Sequence, residues 1–218
     1  MGSFLRMIWR ASVRFGFRRL YQELAWAYDF VSRMVSRGQW RQWQRAALPH
    51  LRAPLVLDLG CGTGDLLQDL AEEGLRSIGL DASAAMLRVS RRKIQTMGAD
   101  ERISLIRARA QALPLLDGRL NSVVATFPSR FILDTASQAE IRRVLAPGGR
   151  LVIVDGGRLI ETDAWTWLLN RAFDLTGGRG IKRSGEEAFK ELGFPLGHRP
   201  VSLETSTVRI SLGEKPEG

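Results

Sequence analysis

The sequence predicts a doubly wound α/β fold: a seven-stranded, mostly parallel sheet with helices on both faces and an N-terminal helical segment. Three observations carry this. Apolar runs of strand length alternate with amphipathic runs of helical length between residues 55 and 155, the pattern of successive βαβ crossovers. The first run, Val56-Leu57-Asp58-Leu59, passes through Gly60, Gly62 and Gly64 into Leu66, Leu67 and Leu70, which reads as strand, tight turn and helix. The last crossover closes on Pro147-Gly148-Gly149 before Leu151-Val152-Ile153-Val154, a helix stop and a turn ahead of a buried strand.

In chain order, strands are predicted over 55–59, 76–80, 103–107, 120–126 and 150–155, with helices over 64–73, 83–97 and 135–145. A helix over 161–174 follows, then a glycine-rich loop at 177–180 and a short helix opened by the capping box Ser184-Gly185-Glu186-Glu187. Strands near 199–204 and 206–213 should form a hairpin that adds one antiparallel strand at the sheet edge. Upstream, residues 5–47 read as helix, interrupted at Gly16 and Gly38. Leu20, Leu24, Tyr28, Val31 and Val35 recur there at helical spacing. The chain therefore divides into a basic, Trp-rich helical segment, 1–52, and a single α/β domain, 53–218.

Charge is concentrated in the first part. Of a net +9, residues 1–52 supply ten arginines against only Glu23 and Asp29, so the rest is close to neutral. Four of the six tryptophans, Trp9, Trp26, Trp40 and Trp43, lie in the same segment. Such a segment suits an acidic surface, either anionic lipid or nucleic acid. Within residues 1–19, Phe4, Leu5, Ile8, Trp9, Val13, Phe15 and Phe17 are interleaved with five arginines and no acid. That pattern fits the membrane interface, and an ordinary helix packed on the domain with its arginines outward accounts for it equally well. Arg33, Arg37, Arg41 and Arg45 recur every fourth residue and read as a solvated face. Residues 1–20 also have the composition of an organellar transit peptide. No apolar run approaches bilayer length and no signal-peptide core is visible, so a cytoplasmic protein, peripheral on the inner membrane face, is expected. The single cysteine, Cys61, excludes a disulfide framework and a Cys/His metal site. His50 and His198 read as helix-end or surface residues.

The spacing Asp58-x-Gly60-x-Gly62-x-Gly64 departs from the dinucleotide fingerprint G-x-G-x-x-G. It resembles the first motif of the class I S-adenosylmethionine (SAM)-dependent methyltransferases, of the type 11-like group, and implies their Rossmann-like fold. The chemistry of SAM suits the residues. It carries no phosphate, and no phosphate-binding lysine loop is present. Its amino-acid ammonium finds an acceptor in Asp58. Its ribose diol needs a carboxylate about 20 residues on, which Ser77-Ile78-Gly79-Leu80-Asp81 supplies. Ala82 follows, and Met86 falls where such enzymes pack an apolar side chain against adenine.

A closer likeness begins upstream. Leu24-Ala25-Trp26-Ala27-Tyr28-Asp29, Ser32, Ser36-Arg37-Gly38 and Trp43 are similar to the opening segment of the ubiquinone/menaquinone biosynthesis C-methyltransferases. Gly64-Asp65-Leu66, Met86-Leu87 and Leu113-Pro114-Leu115-Leu116-Asp117-Gly118 match them too. The resemblance implies that Tyr28 borders the SAM site. Two departures stand out. Arg109 occupies the place of an Asp whose carboxylate accepts from the adenine amino group, and a guanidinium has no acceptor. Gln111, a backbone carbonyl or water must then serve, or the SAM site is weakened. Thr126-Phe127-Pro128-Ser129-Arg130-Phe131 replaces the family's Phe-Gly-x-Arg-Asn run, so the quinone acceptor does not carry over from the motif.

The residues expected at SAM are Tyr28, Asp58, Gly60, Cys61, Gly62, Thr63, Gly64, Asp81, Ala82, Met86, Arg109, Ala110, Gln111 and Thr126. No catalytic or metal-binding residue is assigned, because the sulfonium already activates the methyl group. Thr126, Phe127 and Arg130 are candidates to line the acceptor pocket, with Trp165 and Trp167 above it. The expected activity is methyl transfer to a small, apolar or lipid-like acceptor. The alternatives are an RNA- or ribosome-associated methyltransferase using the basic segment, and a SAM-binding protein without transfer activity. Nucleic acid is the weaker partner: neither the [DN]-P-P-[YF] run of amino-methylating enzymes nor a cysteine nucleophile outside the glycine loop is present.

Overall fold

The structure, a computed structural model, describes residues 34, 36–99, 101–176, 187 and 189–217. Tyr28, the basic segment 1–19, the glycine-rich loop at 177–180 and capping-box residues 184–186 lie outside them.

The elements alternate as the sequence implies. A short helix α1 (Trp40–Arg45) and a 3-10 turn (Leu48–His50) lead into β1 (Leu55–Leu59), α2 (Asp65–Glu72), β2 (Arg76–Asp81), α3 (Ala84–Met97) and β3 (Ile103–Arg107). Then come β4 (Leu120–Thr126), a 3-10 turn (Arg130–Leu133), α4 (Thr135–Val144), β5 (Leu145–Leu159), α5 (Ala164–Thr176), β6 (Gly197–Ser202) and β7 (Ser206–Glu214). The seven strands form one sheet in the order β3-β2-β1-β4-β5-β7-β6. All neighbours from β3 to β5 are parallel, and β7 runs antiparallel to both β5 and β6. The order reverses beside β1, which places a crevice at the carboxyl ends of β1 and β4, where open α/β sheets bind ligands.

Side chains along the central strands alternate between two cores, as the two-residue period of a strand requires. Val56, Val124, Val152 and Val154 join Leu66, Leu67 and Leu70 of α2 and Ile94 of α3. Leu57, Leu59, Val123, Ala125, Leu151 and Ile153 face the other way, onto Ile141 and Val144 of α4, with Phe189 and Phe194. Helices end where local chemistry permits. Ser83 Oγ accepts from Met86 N at 3.3 Å at the start of α3, and Gly98 turns left-handed at its end. Asp134 caps α4 by accepting from Ala136 N at 3.0 Å.

One strand is longer than expected. β5 begins at Leu145 instead of Arg150 and continues to Leu159. The extension is set by a remote partner, since β7 pairs with β5 from Arg150↔Glu214 out to Leu159↔Ser206. At the other end, Gly148 N donates to Lys215 O and Lys215 N to Gly149 O, both at 2.9 Å.

The segment before β1 is built into the domain. Trp43 is fully buried and its Nε1 donates to Ser206 Oγ of β7 at 2.9 Å. Its ring lies flat on β5 at Gly157, where a Cβ would meet three ring carbons at 2.6–2.7 Å. The arginine ladder also departs from a solvated face. Arg41 (2.9 Å) and Arg45 (2.5 Å) converge on Asp69 of α2, whose side chain is fully enclosed, and both reach Glu72. Arg37 pairs with Asp163 at 2.8 Å. A buried carboxylate requires such partners, and a four-residue spacing puts Arg41 and Arg45 on one side of the helix. Trp43→Ala should remove both the packing and the bond to Ser206, destabilising the protein by about 3–5 kcal/mol. Chemical denaturation measures this, and a loss below 1 kcal/mol would mean that α1 is a peripheral attachment.

Candidate functional site

At the carboxyl end of β1 the chain must turn under its own sheet, and the three glycines make that turn. Gly60, Gly62 and Gly64 have φ of 83°, 54° and 82°, values that L side chains rarely adopt. Gly64 is also a close approach: a Cβ there would lie 2.3 Å from Ser90 Oγ of α3. Gly60 and Cys61 both donate their N–H to Leu80 O, at 2.7 and 3.1 Å, and Gly64 N donates to Cys61 O at 2.9 Å. The loop is thereby sewn onto β2. Cys61 turns its side chain into the core beside Leu67, and burial pushes its thiol well above the ordinary range. It is a packing residue here, unsuited to act as a nucleophile.

Two carboxyls frame the loop. Asp81, at the end of β2, accepts from Gly62 N through Oδ2 (3.0 Å) and from Ser83 N through Oδ1 (2.7 Å). It couples the glycine loop to the start of α3. Asp58 is 1% exposed, and its Oδ1 has no hydrogen-bond partner among the described residues. Burial, with the charge of Asp81 as the smaller cause, pushes its pKa up to about 8. A buried, unpaired acceptor costs about 1–3 kcal/mol, so its presence at the end of the central strand marks a place for a donor.

The other expected residues gather around the same end of the sheet. Thr63 and Ala110 are buried, Met86 is fully enclosed, and Ala82 is exposed beside Asp81. Arg109 is exposed, its backbone forming a small bridge with Ala112. Gln111 Nε2 donates to Asp134 Oδ2 at 3.0 Å, and this bond with that from Ala136 holds the Asp134 carboxyl below the usual range. With its nitrogen so engaged, Gln111 has its carbonyl oxygen left to accept. Arg143 fastens the 113–118 segment to α4 by donating to Leu113 O, Leu115 O and Asp117.

At the end of β4, Thr126 Oγ1 accepts from Gln44 Nε2 at 3.2 Å. Phe127 sits at φ 47°, a strained conformation for a bulky residue. It is held there by a bond from its N–H to Val154 O (2.7 Å) and by its ring, stacked on Trp40 at 4.2 Å. Phe131 covers Gly60, where a Cβ would meet its ring at 3.3 Å. Arg130 is exposed. Trp165 and Trp167, expected above the pocket, stand 54% and 50% exposed on α5, with Arg171 over the Trp167 ring at 5.5 Å. His50 ends a 3-10 turn and His198 Nδ1 meets Ser211 Oγ on the outer hairpin at 2.8 Å, so both are structural in position. Gln44, Phe131 and Asp134 were not anticipated. Gln44 lies inside the arginine ladder and gives no signal of its own.

A glycine loop and two buried carboxyls at the carboxyl ends of β1 and β2 define, with the sheet order, a class I methyltransferase fold. The chain belongs to the ubiE/COQ5 methyltransferase family, a family of SAM-dependent methyltransferases whose model matches residues 12–175. Among relatives, it is 39% identical over 142 residues to a demethylmenaquinone methyltransferase of Thermus thermophilus, covering 62% of this chain and 64% of that one. A demethylmenaquinone methyltransferase of Lactiplantibacillus plantarum is 35% identical over 169 residues, covering 72% and 71%. This chain thus spans about two thirds of these relatives. The fold is similar to that of a geranyl diphosphate methyltransferase in complex with SAM, with TM-score 0.62, 16% identity and coverage of 80% and 85%. It is also similar to that of the [4+2]-cyclase SpnF, with TM-score 0.59, 18% identity and coverage of 82% and 80%. The second likeness shows that this fold alone does not fix the reaction.

Proposed function

We propose that this protein transfers a methyl group from SAM to a lipid-soluble ring acceptor of the demethylmenaquinone kind. The observation that carries the cofactor half is the enclosed Asp58 carboxyl, with an oxygen that lacks a donor among the described residues, at the mouth of the glycine loop. The acceptor half is supported by the names of the relatives. Family membership favours this reading over the RNA-associated alternative and over a binder without transfer activity.

In this reading SAM supplies an electrophilic methyl on its sulfonium. Asp58 accepts from the amino-acid ammonium, and ionises in doing so. Asp81, at the end of β2 beside the glycine loop, accepts from the ribose hydroxyls. Gln111, oriented by Asp134, turns its carbonyl oxygen to the adenine amino group, the role that Arg109 is unable to fill. Gly60, Cys61, Gly62, Thr63 and Gly64 offer backbone to the amino-acid tail, with Ala82, Met86 and Ala110 lining the base. Tyr28, outside the described residues, keeps the role at SAM that the family resemblance implies. Thr126, Phe127 and Arg130 border the acceptor side. No acid or base is required of the chain for the transfer. Its task is to hold an electron-rich atom in line with the methyl and to exclude water.

The same reading assigns the basic segment 1–19 to an anionic membrane surface, from which a lipid-soluble acceptor is drawn. Among the described residues no helix is long and apolar enough to cross a membrane. On α5, the half-exposed Trp165, Trp167 and Leu168 stand near the exposed Ile160, a second apolar face suited to an interface.

Two outcomes test this. Asp81→Ala should weaken SAM binding by about 1–3 kcal/mol in titration calorimetry, and unchanged affinity would remove Asp81 from the site. Five arginines at about 1 kcal/mol each near an anionic surface give reversible, salt-sensitive docking. A chain beginning at Leu20 should therefore bind SAM yet no longer sediment with anionic liposomes. Sedimentation equal to the full chain would contradict the assignment.

A further inference from the structure

Gln44 is placed where no motif called for a polar residue. It lies on α1, 9% exposed, with no hydrogen-bond partner for Oε1 among the described residues. Its Nε2 donates to Thr126 Oγ1 at 3.2 Å. Thr126 is the last residue of β4. The register that pairs Asp58 with Val124 puts it at the same end of the sheet as the glycine loop, one strand over.

The amide is one partner short whichever way it is turned. As placed, the carbonyl oxygen lacks a donor. Turned over, the oxygen would accept from the Thr126 hydroxyl and the nitrogen would be stranded. A well-packed interior has no reason to hold such a group. Leu or Met at this position would fill the same space without burying an unpaired atom. Asp69, enclosed nearby on α2, is satisfied by Arg41 and Arg45 from the same helix, so the shortage at Gln44 is local.

Its surroundings suit a flat ring. The flanking residue Trp43 lies against Phe127, ring centroids 5.8 Å apart, and Trp40 stacks on that ring at 4.2 Å and 27°. Phe127, at φ 47°, has its ring against α1 through these two tryptophans. That leaves the Thr126 hydroxyl and the Gln44 amide as a polar pair at the edge of an aromatic cluster. Aromatic walls with one or two placed polar groups are the usual means of orienting a small ring compound.

We propose that Gln44 recognises the methyl acceptor, its Oε1 accepting a hydrogen bond from a ring hydroxyl while Thr126 holds the other end of the amide. This rests on the acceptor reading above and adds the group that sets the ring's orientation. A hydroxyl fixed at Gln44 fixes the ring about that bond, and so determines which carbon is presented toward the glycine loop. A ring whose oxygens carry methyl groups has no proton to donate and is discriminated against, because the buried carbonyl is then left unpaired.

The test is anaerobic titration of the protein, saturated with S-adenosylhomocysteine, with 1,4-dihydroxynaphthalene and with 1,4-dimethoxynaphthalene. The unaltered protein should bind the diol roughly tenfold or more tighter than the dimethoxy compound, the discrimination of one hydrogen bond to a buried polar group. Gln44→Leu should abolish that preference, and Gln44→Glu, which keeps an acceptor oxygen, should retain it. Thermal denaturation of each variant shows whether it is folded. Equal binding of the two compounds by the unaltered protein, or an undiminished preference in folded Gln44→Leu, overturns the assignment of Gln44 alone. Equal binding by the unaltered protein overturns it even where Gln44→Leu fails to fold, and loss of the preference in a folded Gln44→Ala then replaces the leucine variant. Failure of the unaltered protein to bind either compound overturns the ring-acceptor reading and this assignment with it.

Discussion

Asp58, next to the last residue of β1, carries a carboxyl that the fold encloses and, among the described residues, leaves without a donor for one oxygen, and the surrounding architecture is arranged about that group. The parallel neighbours β2 and β4 bury it from both sides. The glycine loop turns directly after it, and Asp81 stands close enough to raise its pKa further. Asp81 accepts from the backbone of Gly62 and Ser83, whereas Asp58 Oδ1 has no donor among the described residues. Asp81 is thereby anchored to the loop, and Asp58 is the group with an oxygen left for a ligand's donor. A ligand bearing an ammonium and a diol, separated as in SAM, answers both conditions.

A second constraint operates across the sheet. The helix before β1 is held by Trp43 on Gly157 and Ser206, and by Arg41 and Arg45 on Asp69. These contacts reach β5, β7 and α2, so α1 is set by three separate elements. What depends on that anchoring is the position of Gln44 over the end of β4, and the stacking of Trp40 on Phe127. The part of the basic N-terminal segment that forms α1 is thus packed into the α/β domain.

The strands and helices that make the parallel core were legible because their signals are local. Two-residue and 3.6-residue periodicities, Gly98 after α3 and Pro147 after α4 give boundaries within a residue or two. The extra length of β5 was not legible, because it is imposed by β7, some fifty residues later. The site divides in the same way. Asp58, Asp81 and the glycines are tied to a spacing that the sequence displays. Gln111 could be named, but its orientation by Asp134 depends on a contact between segments 23 residues apart. Arg41 and Arg45 have the spacing of a solvated face. Only the position of Asp69, buried on a neighbouring helix, turns them into a clamp. Gln44 had no local signal, since a glutamine among arginines looks like surface until Thr126 and the aromatic cluster are brought against it.

The most direct test of the central claim is the proton balance of SAM binding. At pH 6.5 the Asp58 carboxyl, with a pKa of about 8, is protonated in the free protein, and an α-amino group with a pKa of about 7.7–8.0 arrives as an ammonium. Pairing the two requires Asp58 to ionise, so binding should release close to one proton. The release should fade as the pH is raised through 8. Calorimetric titration in buffers of different ionisation enthalpy measures it, with Asp58→Asn as the comparison. The binding enthalpy should vary with the buffer in the native protein and be much less buffer-dependent in Asp58→Asn. A native enthalpy independent of buffer at pH 6.5 would contradict it.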